Sequence, residues 1–113
     1  MKLLTINDAV AQRSSLQGRL IILTGTLTFE FENISLNHYP RKEYIDLENS
    51  SVWLNLSSAA LGFDVRVMKK WHGQAVVAEG ILQTDNSLGG TGHMCLWSAE
   101  IAATELYLLE DYD

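Results

Sequence analysis

Hydrophobic and polar positions alternate most clearly between Arg19 and Glu32. There Thr26, Thr28, Glu30 and Glu32 oppose Leu27, Phe29 and Phe31, behind the apolar run Leu20-Ile21-Ile22-Leu23. A two-residue period in a stretch rich in β-branched and aromatic side chains predicts a half-buried strand. Gln74 to Gln83 has the same texture and predicts a second. Shorter strands are expected at Tyr44-Ile45-Asp46-Leu47 and from Ser51 to Leu56, with a turn at Glu48-Asn49-Ser50 between them. Asn33 to Glu43 is polar, carries Pro40, and is expected as a loop or irregular edge. Met94 to Leu109 should hold the last strand, although its Ser98-to-Leu109 half is also rich enough in Ala, Glu and Leu to form a helix.

Two helices are expected. Thr5 is placed to cap a short one over 5–13, with Asp8 near the positive end of its dipole and Ile6, Ala9 and Val10 at helical spacing. A frayed N-terminal arm is the alternative. The second is expected within 57–73: Ser57 and Ser58 are capping residues, and Leu61, Val65 and Met68 recur at helical spacing. Lys69 and Lys70 suit a C-terminus, and Gly73 a stop. Phe63, Val65 and Val67 also permit a strand, and Gly62 costs a helix roughly 1 kcal/mol relative to alanine.

Two segments echo one another fifty-five positions apart. Leu16-Gln-Gly18 leads through Leu20-Ile21-Ile22-Leu23 to Gly25 and Leu27, and Trp71-His-Gly73 leads through Ala75-Val76-Val77-Ala78 to Gly80 and Leu82. The first glycine of each would open a strand from a turn. The second, inside the strand, suits a bulge or bend where a short sheet curls to close a barrel. The order strand, strand, strand, helix, strand, strand and the opening strand Gly18-Arg-Leu-Ile-Ile-Leu-Thr-Gly25 resemble the oligonucleotide/oligosaccharide-binding (OB) fold. The resemblance covers residues 19–109 and lies in topology and strand texture, without a diagnostic motif. It implies a mainly β protein: a five-stranded barrel, a short N-terminal helix, and a helix between strands three and four. The expected organisation is one domain over 1–113, with the N-terminal helix and opening turn at 1–18, the barrel at 19–109 and an acidic tail at 110–113. The resemblance also implies ligand contact on strands two and three and on the loops joining strands one to two and four to five, here 32–43 and 84–93.

Composition narrows the reading. At 113 residues, with 47% apolar and 19% charged residues, the chain suits one globular core. Its longest apolar run falls far short of the ~20 residues of a membrane helix, and no signal peptide is visible, so a cytoplasmic location away from membranes is expected. The single cysteine, Cys95, excludes an internal disulfide and reads as a small buried apolar residue. The net charge of −6 is uneven: residues 1–70 carry all eight Lys and Arg against seven carboxylates, whereas 71–113 carry seven carboxylates and no Lys or Arg. A surface made from the second part repels phosphate backbones and anionic membranes and suits a basic protein.

The candidate chemistry is sparse. Gly89-Gly90-Thr91-Gly92-His93 is glycine-rich but has neither the lysine nor the following helix of a phosphate-binding loop, and reads as a hairpin connection. His38, His72, His93 and Cys95 lack zinc-ligand spacing, so neither metal nor cofactor is expected. A Cys95–His93 pair would need a stabilised thiolate and an orienting third group; Asp85 and Glu100 support that only weakly. The expectation is therefore a module with no catalytic residues, monomeric or homodimeric, whose partner is another protein. The candidate contacts are Tyr39, Arg41, Lys42, Tyr44, Trp53, His93 and Trp97. The rival expectation is a single-stranded nucleic acid, or an oligosaccharide, on a platform of Tyr39, Arg41, Lys42, Tyr44 and Trp53. Aromatic side chains above cations stack bases in that way, although the charge balance disfavours it. An enzyme using His93 is a third reading.

Overall fold

The computed structural model describes residues 2–39, 41–43, 47–57, 64–84, 90–92, 94 and 96–112. Its two echoing segments form the long strands β2 (Leu20–Glu30) and β5 (Ala75–Gln83), and they pair with each other antiparallel, Leu20 opposite Ile81 through Thr26 opposite Ala75. The pair Leu23–Ala78 marks a local two-fold axis, because the fifty-five-residue offset and the antiparallel register coincide there. The hydrogen bonds obey the same symmetry. Gly18 N–H donates to Leu82 O (2.7 Å) and Gly73 N–H to Leu27 O (2.8 Å), while Leu82 N–H donates to Arg19 O (3.1 Å) and Leu27 N–H to Gln74 O (3.0 Å).

All four glycines of the echo have a backbone reason. Gly18 and Gly73 hold φ of +79° and +82°, the left-handed region that turns the chain into each strand. Gly25 and Gly80 make room. A Cβ on Gly25 would stand 2.7 Å from both Asn37 O and Ile6 Cγ1, and one on Gly80 2.2 Å from Ala102 O. Gly80 also adjoins the register shift against β6, the bulge that bends the sheet.

Around this pair the ring closes. β2 pairs antiparallel with β3 (Asn33–Asn37), β3 antiparallel with β4 (Ser51–Asn55), β4 parallel with β6 (Glu100–Leu108), and β6 antiparallel with β5. A three-residue strand, β1 (Leu3–Thr5), adds in parallel to β2 outside the ring. Inward-facing Leu23, Leu27, Leu36, Val52, Leu54, Val76, Leu82 and Ile101 are fully buried and form the core with Ile6, Val10 and Met68. The helices are α1 (Ile6–Ala11), α2 (Arg13–Leu16), α3 (Leu47–Ser50) and α4 (Val65–Trp71). Thr5 Oγ1 caps α1 by accepting from Asp8 N–H, an interaction typically worth about 1 kcal/mol. No helix among the described residues is long and apolar enough to cross a membrane.

The architecture is the expected one, a mainly β barrel with a short N-terminal helix and a helix between the third and fourth ring strands, but several boundaries differ. The second ring strand is 33–37, inside the stretch expected as a loop. Ile34 and Leu36 face inward, and the polar residues between them bond to one another across the outer face. The β2–β3 connection is thus only Phe31-Glu32, with Glu32 at φ 63°. Of the strand expected at 44–47, residues 44–46 lie outside the described residues and Leu47 begins α3, which replaces the expected turn at 48–50. The cap of α4 is Asp64, whose Oδ1 accepts from Arg66 N–H, rather than Ser57 or Ser58; residues 58–63 lie outside the described residues. Helix α2 continues past the expected end of α1, and β1 is a strand beyond the helix and opening turn expected over 1–18. The 98–109 half of the last strand is strand from Glu100 onward.

The outer face of β5–β6 is acidic. Glu79 stands directly opposite Glu105, an arrangement that costs stability. Tyr107 donates a hydrogen bond to Glu105 Oε2 (3.1 Å), and its ring lies 5.8 Å from that of Tyr112. That hydrogen bond, with desolvation and the charges of Glu105 and Glu79, raises the Tyr107 phenol above its ordinary value.

Gly80→Ala forces a methyl into the Ala102–Ala103 backbone and should destabilise the fold by about 3 kcal/mol in urea denaturation. Gly18→Ala meets open space and should cost only the left-handed strain, about 1 kcal/mol. For Tyr107, a phenol pKa raised by folding contributes stability that is whole below the ordinary tyrosine value and is lost as pH climbs through the raised one. Residue-resolved NMR titration should therefore show Tyr107 deprotonating above the ordinary tyrosine value, and Glu105→Gln should move it down.

Candidate functional site

The outer face of β3–β4 is built from alternate residues of neighbouring strands: Thr28 opposite Ser35, Ser35 opposite Trp53, Trp53 opposite Glu100, and Asn37 opposite Ser51. Much of its polarity is satisfied internally. Asn37 Nδ2 donates to Thr28 Oγ1 (2.8 Å) and Ser35 Oγ (3.3 Å), Ser35 Oγ donates to Asn33 Oδ1 (2.7 Å), and Asn55 Nδ2 donates to Glu100 Oε2 (2.9 Å).

The upper part of this face is covered by the chain itself. The connection from β5 to β6 doubles back at Thr91 and Trp97, whose backbones exchange hydrogen bonds in both directions (2.8 and 3.1 Å). Trp97 is 4% exposed, and its indole N–H donates to Ser51 Oγ (2.9 Å). Its ring meets that of Trp53 edge-on, centroids 4.9 Å apart at 62°, a geometry worth about 0.5–1.5 kcal/mol beyond area burial. Gly92 packs closely against the other ring: a Cβ there would stand 2.6–2.8 Å from Trp53 Cδ2, Cγ and Cε3. Ser98 Oγ then donates to Glu48 O (2.6 Å), and Trp53 N–H to Ala99 O (3.0 Å), tying the segment to α3 and β4. Between these anchors Met94, at φ 55°, is 76% exposed and Leu96 56% exposed.

The candidate residues are therefore dispersed. Trp53 and Trp97 meet each other; Trp53 is half-buried and Trp97 buried. Tyr39 and Lys42 are exposed, in the connection from β3 to β4 rather than in a loop joining the first two ring strands. Arg41 opens a short 3-10 helix at 41–43, and nothing is described of its side chain. Tyr44, His93 and Cys95 lie outside the described residues. Met94 and Leu96 were not singled out by sequence, because their apolar character merged with the run expected as the last strand.

Two histidines have structural partners. His38, almost fully buried, accepts Asn7 N–H at Nδ1 (3.2 Å), which leaves its proton on Nε2 to donate to Glu43 Oε2 (3.0 Å). It thereby holds the end of β3 against the start of α1. His72 Nδ1 accepts Phe29 N–H (3.0 Å) and covers the edge of β2. Among the described residues no group of three His, Cys, Asp or Glu is placed to hold a metal ion.

No protein-family model matches the chain, and no curated protein matches it. Solved structures do. OBody AM2EP06 bound to hen egg-white lysozyme aligns with a TM-score of 0.53 at 16% identity, over 84% of this chain and 83% of that one. OBody AM3L09 bound to hen egg-white lysozyme aligns with a TM-score of 0.48 at 16% identity, over 84% and 85%. At such identity the first likeness speaks to the fold alone, and it agrees with the ring of strands: the barrel is of the OB type.

Proposed function

We propose that the chain is a non-enzymatic binding module whose partner is another protein, engaged through Met94 and Leu96. The observation that carries this reading is the pairing of anchorage with exposure. Thr91, Gly92 and Trp97 hold the segment on the barrel, and two large apolar side chains between them face water. Side chains flanked by anchored residues lose less conformational entropy on binding than side chains on a free chain, which favours affinity. Exposed apolar anchors beside polar surroundings are the usual composition of a protein-binding centre. The carboxylates of β5–β6, among them Glu79 and Glu105, would steer a basic partner toward the barrel. An OB barrel can meet a protein, as OBody AM2EP06 does with lysozyme. Base stacking needs an open ring face, whereas Gly92 and Trp97 occupy Trp53, so this observation weighs against a nucleic-acid ligand.

The test is affinity capture from native lysate with the intact chain and with the double variant Met94→Asp/Leu96→Asp. Burying each side chain is worth about 1.5–3 kcal/mol, so the variant should bind the captured protein at least a hundredfold more weakly while keeping its amide NMR dispersion. Equal capture by the variant would refute the surface. Binding of a single-stranded nucleic acid or an oligosaccharide, with no protein retained, would refute the function.

A further inference from the structure

The local two-fold that relates β2 to β5 has one conspicuous asymmetry. Trp71, at the end of α4, packs half-buried against the core; its counterpart fifty-five positions earlier is Leu16, at the end of α2. Beside the smaller side chain lies an open cavity of about 240 Å³, bounded by β1, α2 and the start of β2. Leu4, Leu16 and Ile21 form its apolar floor, and Leu20, half exposed, its lip. The polar groups at the rim are Lys2, Arg19 and Gln12, with no carboxylate among the lining residues. In a chain of net charge −6 this is a local inversion of sign. Neither Lys2 nor Arg19 is held in an ion pair among the described residues.

We infer that this cavity binds a small amphiphilic carboxylate, its short acyl chain on the leucine–isoleucine floor and its head group between Arg19 and Lys2. A ligand that carries both chemistries uses both halves of the site. A bare inorganic anion would leave the apolar floor against water, and a neutral hydrocarbon would gain nothing from the two exposed cations at the rim. Guanidinium and ammonium bonds to a carboxylate are charge-assisted and stronger than neutral ones. At roughly 30 Å³ per water-sized group, an open recess of this volume takes a chain of at most about eight heavy atoms. The inference is independent of the protein-binding surface, because it uses neither Met94 nor Leu96.

Octanoate, titrated into the ¹⁵N-labelled full chain, tests it. Saturable amide shifts confined to residues 2–4 and 12–21 are expected, with 1-octanol binding at least tenfold more weakly. Lys2→Gln/Arg19→Gln alters two exposed side chains and should leave the spectrum folded while weakening octanoate at least tenfold. Leu16→Trp, which copies the other half, should fill the space and abolish the shifts; its amide dispersion reports whether it folds, and the rim variant decides the matter if it does not. Overturning results would be no saturable shifts at millimolar octanoate, equal affinity for octanol, or unchanged affinity in the rim variant. Tighter binding of a free-carboxylate trileucine peptide than of octanoate at the same amides would also overturn it, in favour of a protein C-terminus.

Discussion

Four backbone hydrogen bonds, exchanged reciprocally between Gly18–Arg19 and Leu82 and between Gly73–Gln74 and Leu27, hold the barrel shut. Each requires its strand to begin on a left-handed glycine directly after a helical turn. Each also requires the partner strand to bend at a second glycine, so that the two apolar faces turn inward together. Remove either bend and β3, β4 and β6 have no closed wall to complete. The core side chains owe their burial to this closure: Leu23 and Ala78, at the two-fold axis, are enclosed because the strands on either side curl around them.

Both proposed binding surfaces lie where the symmetry is broken. After β2 the chain reverses in two residues and proceeds directly into β3, whereas residues 84–99 separate β5 from β6, and among them Gly92 and Trp97 lie against β4. That longer return brings Trp97 over Ser51 and Trp53 and leaves Met94 and Leu96 outside. The helices preceding the two strands differ in the same way: one ends in an indole that closes its corner of the barrel, the other in a leucine that leaves a recess. The symmetric parts stabilise the scaffold, and the unsymmetric parts supply both proposed binding sites.

The echo was legible because its residue types have few alternative uses. A glycine before four apolar residues and another behind them leave little but a turn and a bend, and both pairs occupy those places. Thr5 was legible as a cap for the same reason. β3 was not, because Asn33, Ser35 and Asn37 look like loop residues until Thr28 is brought beside them; their hydrogen bonds replace the hydrophobic signal expected of a strand. The start of α4 was misplaced because Ser57, Ser58 and Asp64 are all capping types, and tertiary packing selects among them. The covering of Trp53 was invisible for a comparable reason. It rests on a bond from Trp97 to a serine 46 positions away and on a glycine packed closely against an indole, neither of which leaves a periodic trace.

The span between the paired glycine segments carries a kinetic consequence. Strands β2 and β3 meet through a two-residue turn and can associate locally, within microseconds for a typical hairpin. The β2–β5 seam joins residues about fifty positions apart, and the parallel β4–β6 contact is comparably distant, so loop-closure entropy must be met before either yields any enthalpy. Both seams are therefore expected to seal late in folding, and a chain in which either is still open exposes strand edges on which chains can associate.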